Sequence, residues 1–367
     1  MNVLAFFIII LVIAIIGIGA FFAIKQFVSQ NKEQGISSLL ITTGLSLIVG
    51  SFGSFWDKPI QILSILKNSK TAKESIDITK EMSEPNVLQL IAGAILMIVG
   101  IYFWQYIKNK IFILNINGYY DKRIEGHNRD LGLGTFEFKE REIDFVQTYK
   151  KGIKPTTTKD IANMLREKVT SFKDESKEFK RGYTGIAPIP FIALAGTHLQ
   201  REKIDHYFEF DKVDTEKFYE LTEGNGYSAL EVKTNLNNLN PNATEVVLSV
   251  SVTKEITDAQ LTQFQGIDVV KLEVDTPEDN KIRYTNQVKE YANTIMNTIE
   301  EIGAKMPLTK VHLVCSSQSC LALEIGKRID NQRMAQVICY FFDNQQPKKY
   351  PWGIVINGNE KGKYIQA

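Results

Sequence analysis

KVHLVCSSQSCLALEIGKRIDNQRMAQVICYFFD, Lys310 to Asp343, decides the fold. It opens on an apolar, β-branched run, Val311 to Cys315, of the kind that forms a buried parallel strand. A turn of small polar residues follows, Ser316, Ser317 and Gln318, and from Ser319 apolar residues recur at Leu321, Leu323, Ile325 and Ile329. That spacing predicts a helix. A second apolar run, Ala335 to Phe342, completes a βαβ unit of Rossmann-like type. In such a unit the strand's carboxyl end and the helix N-terminus bring unpaired N–H groups and the helix dipole together, a natural anion site. The turn lacks GxGxxG, which argues against a dinucleotide cofactor.

Working outward, Gly185 to Asp211 repeats the same logic: an apolar strand, a helix from Pro190 to Leu199 with proline in its first turn, and an aromatic strand, Ile204 to Phe210. ALAGTHL then HYFEFD parallels ALEIGKRI then ICYFFD, so the chain is expected to hold two related halves. Glu245 to Ile256 reads as a strand whose end presents Ser251, Thr253 and Lys254, two hydroxyls and an ammonium suited to a phosphate. Asp268 to Val274 is a further strand; Thr156 to Ser171 and Asn286 to Ile302 are amphipathic helices.

Taken together, the His-Leu strand, small polar turn, helix ending Gly-Lys-Arg and Tyr-Phe strand resemble the second half of the SAVED domain, and Gly185 to Asp211 resembles its first half. That family fuses two CARF-like halves that bind cyclic oligonucleotides in bacterial CBASS antiphage systems. Many of its sequences carry a proline in the turn where this chain has Ser316 to Ser319. The resemblance runs from about Phe145 to the C-terminus. It implies a cyclic di- or trinucleotide ligand made by a partner nucleotidyltransferase and contacted by Gly196, Thr197 and His198 of the first half, by Ser251, Thr253 and Lys254, and by Ser316, Ser317, Gln318 and Ser319. It implies no cofactor and no metal.

The N-terminal third differs in kind. Val3 to Ile24, Ile36 to Trp56 and Val87 to Ile107 are uncharged and each long enough to cross a hydrocarbon core of ~30 Å. The expected organisation is therefore a membrane α-helical module over residues 1–110, a connector over 111–144, and a cytosolic α/β sensor over 145–367, a pair of Rossmann-like halves. Lysine and arginine counts on the two sides of the spans differ by one and do not orient the chain. The thiols and the implied ligand place the large region in the cytosol, beneath a bacterial inner membrane. A stretch between the second and third spans, Ile60 to Glu81, is open to two readings: an interfacial helix, or a segment that re-enters the membrane and changes the count of spans. Ser38, Thr42, Ser46, Gly50 and Ser54 form a small polar stripe, open to two readings: close helix packing, or the lining of a pore when copies cluster.

Against these stand the classes that the sequence disfavours. Lys plus Arg number 43 and Asp plus Glu 42, which gives no global attraction for long nucleic acid. GxxxxGK[ST], HExxH and GxSxG are absent. Cys315, Cys320 and Cys339 match no zinc spacing and read as buried thiols. The four histidines are scattered. His312, inside an apolar strand, reads as a core residue. The resemblance implies a non-enzymatic effector of the TM-SAVED kind that binds the cyclic oligonucleotide, self-associates and disrupts the inner membrane. A ring nuclease and a nucleotide-gated channel subunit are the alternatives.

Overall fold

The computed structural model describes residues 32–51, 86–108, 110–119, 138–211, 215–330 and 333–367. It divides the chain into two compact units, Met1–Asn109 and Lys110–Ala367. In the first, α1 (Lys32–Ser51) packs against α2 (Val87–Lys108). Glycine sets that contact: a Cβ on Gly44 would lie 2.6 Å from both the Gly93 carbonyl oxygen and the Met97 amide nitrogen, and one on Gly100 would lie 2.7 Å from Ile41. The buried row on α1 is Ser37, Gly44 and Ser51, one turn position away from the polar stripe. Of that stripe, Thr42 donates to the Ser38 carbonyl at 2.7 Å, Ser46 is exposed, and Gly50 faces Gln89. Ser54 lies outside the described residues.

Three spans were expected, and among the described residues one helix meets the length and composition of a span: Val87–Ile107, 21 residues, with mean hydropathy 2.2 over an 18-residue window. The apolar part of α1, Gly35–Ser51, is shorter than the ~20 residues a span requires. The expected span from Val3 to Ile24 and the stretch from Ile60 to Glu81 lie outside the described residues.

The second unit is built on two sheets of the same design. Its elements in chain order are β1 (Ile111–Asn117), β2 (Phe138–Asp144), α3 (Val146–Lys150), α4 (Pro155–Glu175), β3 (Lys180–Ile186), α5 (Ile189–Leu199), β4 (His206–Phe210) and β5 (Phe218–Glu220) for the first sheet. The second sheet takes β6 (Glu231–Val232), β7 (Glu245–Ser251), β8 (Asp268–Glu273), α6 (Thr285–Lys305), β9 (Lys310–Ser316), α7 (Ser319–Arg328), β10 (Gln336–Phe341), β11 (Trp352–Val355) and β12 (Tyr364–Gln366). The first sheet runs β2-β1-β3-β4-β5, and within the second the run β8-β7-β9-β10-β11 repeats that order. In each the first four strands are parallel and the fifth is antiparallel. The internal parallel seen in the sequence is therefore a repeat of topology. Residues 111–117 and 138–144, within the stretch read as a connector, supply β1 and β2 of the first sheet.

Helices α5 and α7, one from each half, cross at glycine. Gly196 and Gly326 are each the eighth residue of their helix. A Cβ on Gly196 would collide with the Leu323 carbonyl oxygen, and one on Gly326 with that of Ala193, the fifth residue of the facing helix in both cases. The contact is reciprocal, as a pseudo-two-fold axis between the halves demands. Both helices are almost wholly buried, so their crossing is the centre of the core.

Candidate functional site

In an open α/β sheet of order 2-1-3-4-5, the strands' carboxyl ends part where the chain reverses direction across the sheet, between the first and third strands. This unit has two such points, and one cavity of about 400 Å³ touches both. The first half contributes Tyr119 beyond β1, Gly185 to Ala187 and Ile189 at the β3–α5 turn, and Glu209 and Phe210 of β4. The second contributes Thr253 and Lys254 beyond β7, Ser317 to Ser319 at the β9–α7 turn, and Asp279 with Asn280. Both helices present their N-termini to it.

Each polar side chain here has a defined task. The Ser251 hydroxyl accepts from the Ile256 amide at 3.1 Å and folds back the loop that carries Thr253 and Lys254. Val252 and Thr253 both donate their amides to the Ser316 carbonyl at 2.9 Å, and the Thr253 and Ser316 hydroxyls lie 3.0 Å apart, so the β7 and β9 ends form one wall. The Gln318 side chain clamps the Ile282 peptide: its oxygen accepts from the amide at 2.5 Å, and its nitrogen donates to the carbonyl at 3.1 Å and to the Tyr219 hydroxyl at 2.8 Å. Ser317 makes only local bonds, accepting from the Cys315 thiol and donating to the Gln318 carbonyl, both at 3.2 Å. It is half-buried. Glu209 reaches across from the first half, accepting from the Ser319 hydroxyl at 2.9 Å and the Cys320 amide at 2.6 Å.

The structure thus brings Thr253, Lys254, Ser317, Gln318 and Ser319 to one cavity, with Ser251 and Ser316 in the wall behind it. Gly196, Thr197 and His198 lie elsewhere, at the carboxyl end of α5. Gly196 is consumed by the helix crossing, and the Thr197 hydroxyl donates to the Leu194 carbonyl at 2.7 Å. His198 sits in a basic cluster. Lys361 and Lys173 donate to the Thr197 and His198 carbonyls at 3.3 and 3.4 Å, where cations complement a helix C-terminus. Burial, followed by the charges of Lys361, Arg166 and Lys173, pushes the His198 imidazole down to about 3. Burial and Lys173 push the Lys361 ammonium down to about 8.

The His198 shift has a measurable consequence. Unfolded, the imidazole titrates near 6.5; folded, it stays neutral, so the unfolded state takes up the proton first as pH falls. Stability present above about pH 6.5 is lost toward pH 3, by up to about 2 kcal/mol at pH 5. His198→Gln is expected to narrow the difference between urea midpoints at pH 7 and pH 5; an unchanged difference rules out this origin.

A larger cavity, about 860 Å³, lies at the opposite ends of α5 and α7, beside the amino ends of the strands. Its lining carries Arg201, Lys203, Lys289, Lys327 and Arg328 against Glu202, Glu324 and Asp330; Glu324, almost fully buried, binds Lys327, Arg328 and the Tyr207 hydroxyl. Lys327 and Arg328 sit in the last turn of α7, where the helix dipole accounts for them. It does not touch the switch points, and size alone does not outweigh that. Among the described residues no group of three or more His, Cys, Asp or Glu could hold a metal ion. Cys315, Cys320 and Cys339 are buried free thiols, and burial raises all three. His312 is held between the Tyr340 hydroxyl and Glu245, each at 2.9 Å, inside the core.

The model of the SAVED family, described as the SMODS-associated and fused to various effectors sensor domain, matches residues 165–356. The chain belongs to the SAVED family. Solved structures similar to it include the Acinetobacter baumannii Cap4 SAVED/CARF-domain containing receptor with the cyclic trinucleotide 2'3'3'-cAAA, at 9% identity over 82% of this chain and TM-score 0.47. The same receptor with 3'3'3'-cAAA gives 9% over 82% and TM-score 0.44, and the Moraxella osloensis Cap4 receptor 13% over 82% and TM-score 0.42. The match spans 62% of the Acinetobacter chain and 61% of the Moraxella chain. None of the curated proteins matches the chain in sequence. As a SAVED protein the chain carries a sensor domain, and the double switch-point cavity lies within and beside the matched residues, with Tyr119 alone of its lining falling outside them.

Several lining residues were missed from sequence. Tyr119, Glu209, Phe210, Asp279 and Asn280 carry no motif. The β3–α5 turn was recoverable: aligning Gly196 with Gly326 sets Ile186 to Ile189 against Ser316 to Ser319. Gly196, Thr197 and His198, which the resemblance implies, lie at the other end of α5 from this cavity.

Proposed function

We propose that this SAVED protein is a receptor for a cyclic oligonucleotide, bound in the cavity shared by the two switch points, and that it acts at a membrane. The observation that carries the first part is the convergence of five strand ends and two helix N-termini, drawn from both halves, on a single cavity. A ligand with repeated nucleotides around a ring suits a site with repeated walls. Its phosphates meet Lys254 and the Thr253 and Ser317 hydroxyls, and its bases meet Tyr119 and Phe210. Asn280 offers an acceptor to base amino groups.

The second part rests on α2, whose 21-residue apolar span is mostly uncovered and exposes Ile91, Ile95, Ile98 and Tyr102. A core helix of that composition would be covered. In this reading ligand binding drives self-association, and the Ser38, Thr42 and Ser46 faces meet across copies to admit water. The α1–α2 contact runs through Gly44, and Ser46 on the stripe is exposed.

Liposomes reconstituted with the full chain are expected to leak dye when cyclic triadenylate is added. Replacing Thr42 and Ser46 by alanine keeps the face small, so leakage falls at least fivefold if the hydroxyls line the path. Full leakage by that variant rejects the lining, and no leakage by the parent protein rejects membrane action.

A further inference from the structure

Glu209 is the unexpected group in the cavity. A polyanionic ligand needs cations and N–H donors, yet the lining holds two carboxylates, Glu209 and Asp279, against one ammonium, Lys254. Asp279 is exposed. Glu209 is 6% exposed and leaves its own half to reach the other: from β4 it takes the Ser319 hydroxyl at 2.9 Å and the Cys320 amide at 2.6 Å, in the first turn of α7. A ten-residue helix has a real partial positive charge at that end, and a carboxylate there is stabilised as a phosphate oxygen would be. Ser319 lines the cavity and the Cys320 amide lies behind it in the same turn, so the two donors suit a phosphate, and the protein's own anion holds them.

Resting on the reading of this cavity as a cyclic-oligonucleotide pocket, we infer that Glu209 is an internal competitor for the ligand: a phosphate of the bound ring takes the Ser319 and Cys320 donors and displaces the carboxylate. The exchange is anion for anion, so the first turn of α7 stays satisfied in both states. What changes is the tie between the halves. In the empty protein Glu209 of the first half is bound to α7 of the second; in the occupied protein the ligand bridges them. Glu209 thereby sets the affinity threshold, because every binding event must first break a charge-assisted contact.

Glu209→Gln tests this in the full chain. The amide oxygen still accepts from Ser319 and Cys320, so folding is retained, while the bond loses its charge and the phosphate loses a repelling neighbour. Isothermal titration with cyclic triadenylate is expected to show E209Q binding at least fivefold more tightly than the parent, whereas Asp279→Asn, which removes an exposed charge without touching α7, gains less than twofold. The unliganded melting temperature checks the fold. If E209Q does not fold, Glu209→Ala, which leaves both donors vacant, is expected to show the same direction. A parent that binds beside an E209Q variant that binds equally or more weakly overturns this inference alone. Binding by neither overturns the pocket reading and the inference with it.

Discussion

Gly326→Val is expected to lower the unfolding transition of the sensor unit by about 6–12 °C, the equivalent of about 3 kcal/mol for a domain of this size. The reason is the geometry of the α5–α7 crossing. The Ala193 carbonyl oxygen lies where a Cβ would go, and it is backbone in a buried helix, so it cannot turn aside as a flexible side chain would. The helices must move apart, and the apolar side chains around the crossing then lose close packing on both sides. Gly196→Val is expected to cost a similar amount, because its Cβ meets the Leu323 carbonyl in the reciprocal place. Gly303→Ala is the control: it is helical, exposed and has nothing within 4 Å of the added Cβ, so it should gain about 0.5–1 kcal/mol from helix propensity. Thermal melts of the three variants decide it. Gly326→Val melting within about 2 °C of the parent would mean that the halves do not pack through these glycines.

The second large effect is on binding. Ser317→Trp is expected to weaken cyclic triadenylate at least 100-fold, about 2.7 kcal/mol, while leaving the unliganded protein folded. Ser317 is suited to this test because its hydroxyl makes two local bonds and its side chain faces the cavity, so a large ring occupies ligand space rather than core. Its neighbour Gln318 is the wrong choice. Its amide satisfies both polar groups of the buried Ile282 peptide, and losing it would cost stability of about 1–3 kcal/mol per orphaned group and confuse the two effects.

How far the sequence leads depends on where the information sits. The βαβ unit of Lys310 to Asp343 was legible because a parallel strand buried on both faces is a continuous apolar run and its helix keeps a clear period: β9 runs Lys310–Ser316 and α7 Ser319–Arg328. β1 was obscured for the opposite reason. IFILNIN looks like a loose alternation, yet all seven residues are buried, Asn115 and Asn117 included, and the Asn115 amide is taken by Glu140 of the neighbouring strand. The switch-point wall of the second half could be read from its hydroxyls. Glu209 could not, since nothing in HYFEF tells which strand residue reaches a helix in the other half. The polar stripe on α1 was visible, but the glycine that packs the helix, Gly44, lies off it, and only the partner helix reveals that.

The central claim is that the cavity joining the two switch points receives the cyclic oligonucleotide. Isothermal titration of cyclic triadenylate into the full chain and into Ser317→Trp tests it most directly. The account predicts saturable binding by the parent with about one ring per chain, and loss of at least 100-fold in the variant at an unchanged melting temperature. Equal affinity for both folded proteins would place the ligand elsewhere and contradict the account.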